Sequence, residues 1–319
     1  MSSPVAVQFG ANVPALLTAA GSAAVERTAE FFIGRIANPN TRRAYARAFA
    51  DFVGWCEAEE LGSILEVRPL HVSMYVRQRE REKSAPSVKQ ALAAIRMLFD
   101  HLVVNQVIPT NPAAAVRGPK HVVRRGKTPV LAPEEARQLI DAIDVSTPIG
   151  LRDRALIGFM IYSFARIGAA EAMTVGDVYV QNRRLWLRLR EKGGKVVNLP
   201  CHHHLEAYLD AYLDGARIRN DVNGPLFRTI GRGTGQLTRT PLPQANAWAM
   251  INRRARQAGI MTKIGNHTFR ATGITAYLMN GGTLEKAAAI ANHSSTRTTQ
   301  LYDRRSDEVT LDEIERVRI

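Results

Sequence analysis

At 319 residues, 45% of them hydrophobic and 23% charged, the chain is long enough for two domains with cores of their own and has the balance of a soluble globular protein. A net charge of +14 and a pI near 10.3 exclude a neutral or acidic surface and point to a polyanionic partner. Two distant cysteines, Cys56 and Cys201, exclude a disulfide framework, and no apolar run or basic amphipathic stretch suits a bilayer, so nucleic acid in the cytoplasm is the expected partner rather than membrane.

Residues 1–22 are rich in small side chains, lack the basic start of a secretory signal, and read as a flexible tail. Residues 23–116 read as a small helical bundle. A helix is expected around Val25 to Ile36. The next is capped by Asn40 or Thr41, with Tyr45, Phe49, Phe52, Val53 and Cys56 forming one apolar stripe. Another starts after Pro69 and turns Val72, Tyr75 and Val76 inward. A fourth runs from about Ser87 to Val104, with Val88, Leu92, Ile95, Leu98, Phe99 and Leu102 at helical spacing. The polar faces carry Arg42, Arg43, Lys83, Lys89 and Arg96, which are either phosphate contacts or ordinary solvated charges.

Periodicity is lost from Asn111 to Pro129, and residues 117–130 read as a basic linker. Lys120, Arg124, Arg125 and Lys127 would either cross a DNA backbone there or simply keep the connector soluble. Residues 131–319 form the second domain. Pro133, Glu134 and Glu135 suit a helix start. A helical segment from Arg152 places Leu156, Ile157, Met160 and Ile161 on the apolar side. The period then changes to two: Leu185, Leu187 and Leu189 alternate with Trp186, Arg188 and Arg190. After Gly193-Gly194 come Val196, Val197 and Leu199, so a hairpin turning at the glycines is expected. Cys201-His202-His203-His204 reads as a polar helix start rather than a metal site, because consecutive helical residues diverge. The stretch Gly231 to Gly235 lacks the Gly-Lys-Ser/Thr ending of a nucleotide loop and reads as surface.

One constellation carries chemistry: Arg166, Lys192, His267, Arg270, His293 and Tyr302. All but the tyrosine are cationic or can become so. An arginine fork donates two parallel hydrogen bonds to a phosphate and keeps its charge. A tyrosine becomes a usable nucleophile when cations stabilise its phenolate. The set suits gripping a phosphodiester and attacking it with a phenol.

The motifs holding these residues resemble those of the tyrosine recombinases, or phage-integrase family, over roughly Leu131 to Arg305. They are Ser163-Phe164-Ala165-Arg166, Glu191-Lys192-Gly193-Gly194-Lys195, His267-Thr268-Phe269-Arg270, Asn292-His293 and, nine residues later, Tyr302. The first half is similar to the family's helical core-binding domain. The resemblance implies a mainly α chain with a small β-hairpin or sheet in the catalytic domain (α+β). Its helical (SAM-like) and catalytic domains would close around duplex DNA as a two-domain clamp. It implies that Arg166 and Arg270 grip the scissile phosphate and that His267 and His293 donate to it or move the phenol proton. It further implies that Lys192, or Lys195 from the same turn, protonates the leaving 5′-oxygen while Tyr302 attacks. No cofactor is expected. The expected partners are recombination sites in double-stranded DNA, further copies forming a homo-tetramer on two duplexes through a Holliday junction, and accessory or directionality proteins.

Two positions depart from the pattern. The acid that the family usually places three residues after the first arginine is Ala169 here, and the usual glycine before the second histidine is Asn292. Asparagine tolerates the left-handed backbone such a turn needs. Ala169 keeps open a non-catalytic DNA-binding protein built on a recombinase, and the shared chemistry keeps open a type IB topoisomerase. Beyond Tyr302, Leu311, Ile314 and Val317 have the spacing of a short tail helix, which would either cap its own domain or dock on a neighbouring copy.

Overall fold

The computed structural model describes residues 13–123, 126–191, 194–304 and Ile314. The chain divides between Val122 and Val123 into two compact units. Arg124, Arg125, Lys192 and the expected tail helix, apart from Ile314, lie outside the described residues.

The first unit is a bundle of α1 (Ala15–Thr18), α2 (Ser22–Glu30), α3 (Pro39–Ala58), α4 (Pro69–Glu82) and α5 (Ala85–Val104). A π-helical turn, Phe31–Arg35, extends α2. The apolar stripes meet at the centre, where Phe49, Phe52, Val72, Tyr75, Ile95, Leu98 and Phe99 are buried. Proline opens α3 and α4 at the first position, where its missing N–H costs nothing. The cap of α3 is Asn38, not Asn40 or Thr41: its side chain accepts from the N–H groups of both. The expected tail is also corrected within residues 13–22. There α1 buries Leu16 and Leu17 in the bundle core, because small residues around two adjacent leucines let a short helix sit flat on it. At the other end, Ala113 and Val116 belong to the same core.

The second unit holds α6 (Pro133–Asp141), α7 (Pro148–Tyr162), α8 (Ile167–Ala172), β1 (Val178–Gln181), β2 (Arg184–Arg190), β3 (Val196–Pro200) and α9 (His203–Gly215). After these come β4 (Arg228–Ile230), β5 (Leu237–Pro241), α10 (Gln244–Gln257), α11 (Asn266–Met279), α12 (Leu284–Ile290) and α13 (Thr296–Gln300). The expected hairpin is β2–β3, with Leu187 opposite Leu199 and Leu189 opposite Val197. Leu185, Leu187 and Leu189 are buried while Arg184, Arg188 and Arg190 face out. Strand β1 adds a third antiparallel member, and β4–β5 form a second small hairpin around the glycine-rich stretch.

Helix α7 is the spine of this unit and is buried nearly all round. Its two internal charges are held in place: Arg152 Nη2 lies 2.6 Å from Asp153 Oδ1, Arg254 Nη2 lies 2.8 Å from Asp153 Oδ2, and Arg152 Nη1 donates to Arg228 O at 2.7 Å. These bonds tie α7 to α10 and β4. Helix α11 packs so closely on α7 that a Cβ at Gly273 would stand 2.0 Å from Ile161 O. A small cluster of Phe164, Ala271, Ile274, Leu278, Ala287, Ala291 and Tyr302 lies where α11 and α12 meet the segment after α13.

Candidate active site

The end of α7 sets the first arginine. The helix stops at Tyr162, and Phe164 then takes a left-handed backbone (φ +53°) unusual for an aromatic residue. Burial of its ring in the small cluster holds that conformation. The turn aims Phe164 O at Arg270 and brings Arg166 to the cap position of α8, half-exposed.

Helix α11 carries His267 and Arg270 one turn apart, on one face. Arg270 is fully buried, a costly location for a charge unless it is well bonded. Nη1 donates to Phe164 O, and Nη2 reaches Ala291 O and His293 Nε2, each at 2.6 Å. Nε is buried and has no hydrogen-bond partner among the described residues. Burial and then the nearby Arg166 cation push the guanidinium down to about 10, while Tyr302 and Glu191 pull the other way. It remains charged at neutral pH.

His293 sits in the turn after α12. Asn292 takes φ +47°, as expected for an asparagine standing in for glycine, and the N–H groups of Asn292 and His293 cap Ala289 O and Ala288 O. Burial, then Arg270, Arg166 and His267, push His293 down to about 4, so it is neutral under ordinary conditions. Arginine can only donate, so His293 Nε2 accepts from Arg270. The proton of the neutral ring therefore belongs on Nδ1, which donates to Thr299 Oγ1 at 2.9 Å. Thr299 is wholly buried in α13.

Tyr302 follows α13. Its ring lies nearly parallel to that of His293 (7°, centroids 6.0 Å apart), and Thr275 Oγ1 donates to its backbone carbonyl at 2.8 Å. Its Oη stands 2.9 Å from His267 Nε2. Burial, then Arg270 and Arg166, lower the His267 pKa, which favours the neutral ring and a lone pair able to take the phenol proton. Just upstream, Leu301 O accepts from Gly126 N–H at 3.0 Å, and Arg304 Nη2 returns to Gly126 O at 2.9 Å.

His267, Arg270, His293 and Tyr302 are thus joined by contacts into one site, and Arg166 lies near enough to disfavour positive charge on Arg270 and both histidines. Arg166 Nη1 lies 2.7 Å from Glu191 Oε2, at the turn preceding Lys192, while Lys195 is exposed on the far side of that turn. The basic residues outside this site divide. Arg42 spends its guanidinium on Ile36 O and Ile33 O, and Arg96 on Ala113 O and Val116 O, so both hold their own unit together. Arg43 bonds Asn40, and Lys83 lies 3.2 Å from Asp51. Lys89, Lys120 and Lys127 are exposed. His202 caps α9 by accepting from His204 N–H. Sequence reading missed Glu191, Thr299 and Gly126. For Glu191 a signal existed, an acid flanked by arginine and lysine at a hairpin turn; Thr299 and Gly126 offered none.

Residues 129–308 match the model of the phage integrase family, and residues 30–106 match the phage integrase N-terminal SAM-like domain. The tyrosine recombinase XerD of Corynebacterium glutamicum is 30% identical over 274 residues, covering 82% of this chain and 86% of that protein. The tyrosine recombinase XerC of Xanthomonas campestris pv. campestris is 27% identical over 307 residues, covering 94% and 90%. Among solved structures, XerH recombinase bound to a palindromic difH substrate in a post-cleavage complex superposes with a TM-score of 0.68 at 15% identity, covering 98% of this chain and 92% of that one. A lambda integrase tetramer bound to a Holliday junction gives 0.65 at 17%, covering 90% and 79%. At these identities the structural likeness establishes the fold.

Proposed function

The chain belongs to the phage integrase family, and from that membership we propose that it is a site-specific DNA recombinase that breaks and rejoins duplex DNA through Tyr302. The observation that carries this reading is the 2.9 Å contact between Tyr302 Oη and His267 Nε2, set among Arg166, Arg270 and His293.

The proposed step is an in-line displacement. Tyr302 Oη attacks the phosphorus, its proton passes to His267, a 3′-phosphotyrosine forms, and the bond to the 5′-oxygen breaks. Arg166 and the buried Arg270 oppose the negative charge that grows on the non-bridging oxygens. Charge stabilisation of this kind is the task metal ions perform in many phosphoryl-transfer enzymes. Lys192 is the proposed donor to the leaving 5′-oxygen. Because the phosphotyrosine conserves the bond energy, rejoining would need no nucleotide. The relatives are recombinases, and one fold neighbour, lambda integrase, was solved as a tetramer bound to a Holliday junction. We propose the same assembly here, four copies on two duplexes, with accessory proteins setting direction. The exposed Lys89, Lys120 and Lys127 are proposed phosphate contacts.

The test is a duplex nicked near the cleavage point, so that the freed strand end diffuses away and rejoining fails. The protein is expected to become covalently attached to DNA, and Tyr302→Phe is expected to bind the duplex without attaching. A salt-labile complex alone would favour the binding-only reading that Ala169 keeps open. Relaxation of plasmids lacking any recombination site, without strand exchange, would favour a topoisomerase.

A further inference from the structure

We infer that Glu191 is the positioning residue for Arg166, seating its guanidinium for the phosphate while tying the hairpin turn to the active site. The inference rests on the recombinase reading above and deepens it.

Arg166 is close enough to Arg270 to disfavour the charge of that buried guanidinium. Arg270 is immobilised by two backbone carbonyls and His293. Arg166 has no comparable backbone cradle among the described residues: it caps a six-residue helix, and its side chain is 37% exposed. Left alone, such a side chain would swing into solvent, away from Arg270. In its own helix the residue one turn on is Ala169, buried at 3% exposure, and the acid of that helix, Glu171, makes no ion pair with Arg166 among the described residues. The carboxylate comes from the other side of the site. Glu191 Oε2 lies 2.7 Å from Arg166 Nη1, and the Glu191 side chain is only 3% exposed. A carboxylate that deeply buried is tolerated because it is paired.

Glu191 is itself fixed by the turn it begins. Its N–H donates to Lys195 O at 2.8 Å, and its carbonyl accepts from Gly194 N–H at 3.2 Å, with Gly194 left-handed at φ +76°. One side chain therefore joins the residue that follows β2 to the first arginine. Because Glu191 meets a single Arg166 nitrogen, the remaining edge of the guanidinium stays available for a phosphate. Glu191 also offsets part of the repulsion felt by Arg270.

The experiment compares wild type, Glu191→Ala, Glu191→Gln and Arg166→Lys, with the double variant Glu191→Ala/Arg166→Lys. Single-turnover attachment to the nicked duplex, affinity for intact duplex and thermal melting are measured on each. Loss of a seated charge-assisted contact is expected to slow attachment by roughly 10–100-fold with affinity changed less than about threefold. Glu191→Gln, which keeps a hydrogen bond and fills the same volume, is expected to fall between; it serves as the reporter if Glu191→Ala melts early. In the Arg166→Lys background, Glu191→Ala is expected to cost little more, because the residue acts through Arg166. Wild-type attachment rates in a folded Glu191→Gln or Glu191→Ala would overturn the inference, as would fully additive losses in the double variant. If wild type itself fails to attach, the recombinase reading fails instead.

Discussion

Thr299→Val removes one buried hydroxyl and keeps nearly the same shape. Thr299 Oγ1 is the acceptor, 2.9 Å away, that holds the proton of His293 on Nδ1 and so leaves Nε2 to face Arg270. Without it, Nδ1–H has no partner in a half-buried site, a penalty of about 1–3 kcal/mol. Part will appear as lost stability. The rest frees the ring to change tautomer or rotate, which turns an N–H toward Arg270 and disorders the surface on which Tyr302 stacks. A share of about 1.4 kcal/mol in the transition state is a tenfold slower attack. Single-turnover attachment to a nicked duplex, followed from pH 6 to 9, is the assay. Thr299→Val is expected to be about tenfold slow with unchanged DNA affinity, and Thr299→Ser, which restores the hydroxyl, to recover most of the rate. A folded Thr299→Val that attaches as fast as wild type at every pH would refute the assigned tautomer.

Acid should destabilise the second unit through the same histidine. His293 is held at about 4, below its ordinary 6.5, so the unfolded chain takes up the proton first as pH falls. Stability is complete above pH 6.5 and is lost between 6.5 and 4, by at most about 3 kcal/mol for this group; urea midpoints that stay flat over that window would contradict it. Gly273→Ala forces a methyl to within 2.0 Å of Ile161 O. It is expected to cost about 3 kcal/mol, or roughly 6–12 °C of melting temperature, and an unchanged melting curve would show that α7 and α11 are not so closely apposed. Gly126→Val places a Cβ 2.5 Å from Leu301 O, next to the nucleophile. Attachment is expected to fall while DNA affinity holds; equal loss of both would assign Gly126 to binding.

The parts legible in the sequence are those whose signal is local. The stripe through Phe49, Phe52, Val53 and Cys56, and the alternation of Leu185, Leu187 and Leu189, each state their own buried face. Asn292 announced its left-handed turn because few other residues accept one. What escaped depends on pairing between distant segments. Strand β1 offers only Val178 and Val180 around a tyrosine, too little without its partner β2. Leu16 and Leu17 sit among small residues that carry no period, and their burial is decided by the bundle they land on. Arg42 and Arg96 looked like free surface charge because the carbonyls they serve are placed by neighbouring turns. Glu191 and Arg166 are 25 residues apart, joined only when β2 returns beside α8.

In the proposed reaction the hydroxyl at 302 becomes the covalent link to DNA. Digesting the trapped protein–DNA complex with protease and nuclease, then sequencing the modified peptide by mass spectrometry, reads that atom directly. A nucleotide 3′-phosphate carried on Tyr302, and no adduct from the phenylalanine variant, is the predicted result. The same modification on another residue, or an adduct that survives in Tyr302→Phe, would contradict the assignment of the nucleophile and with it the reaction.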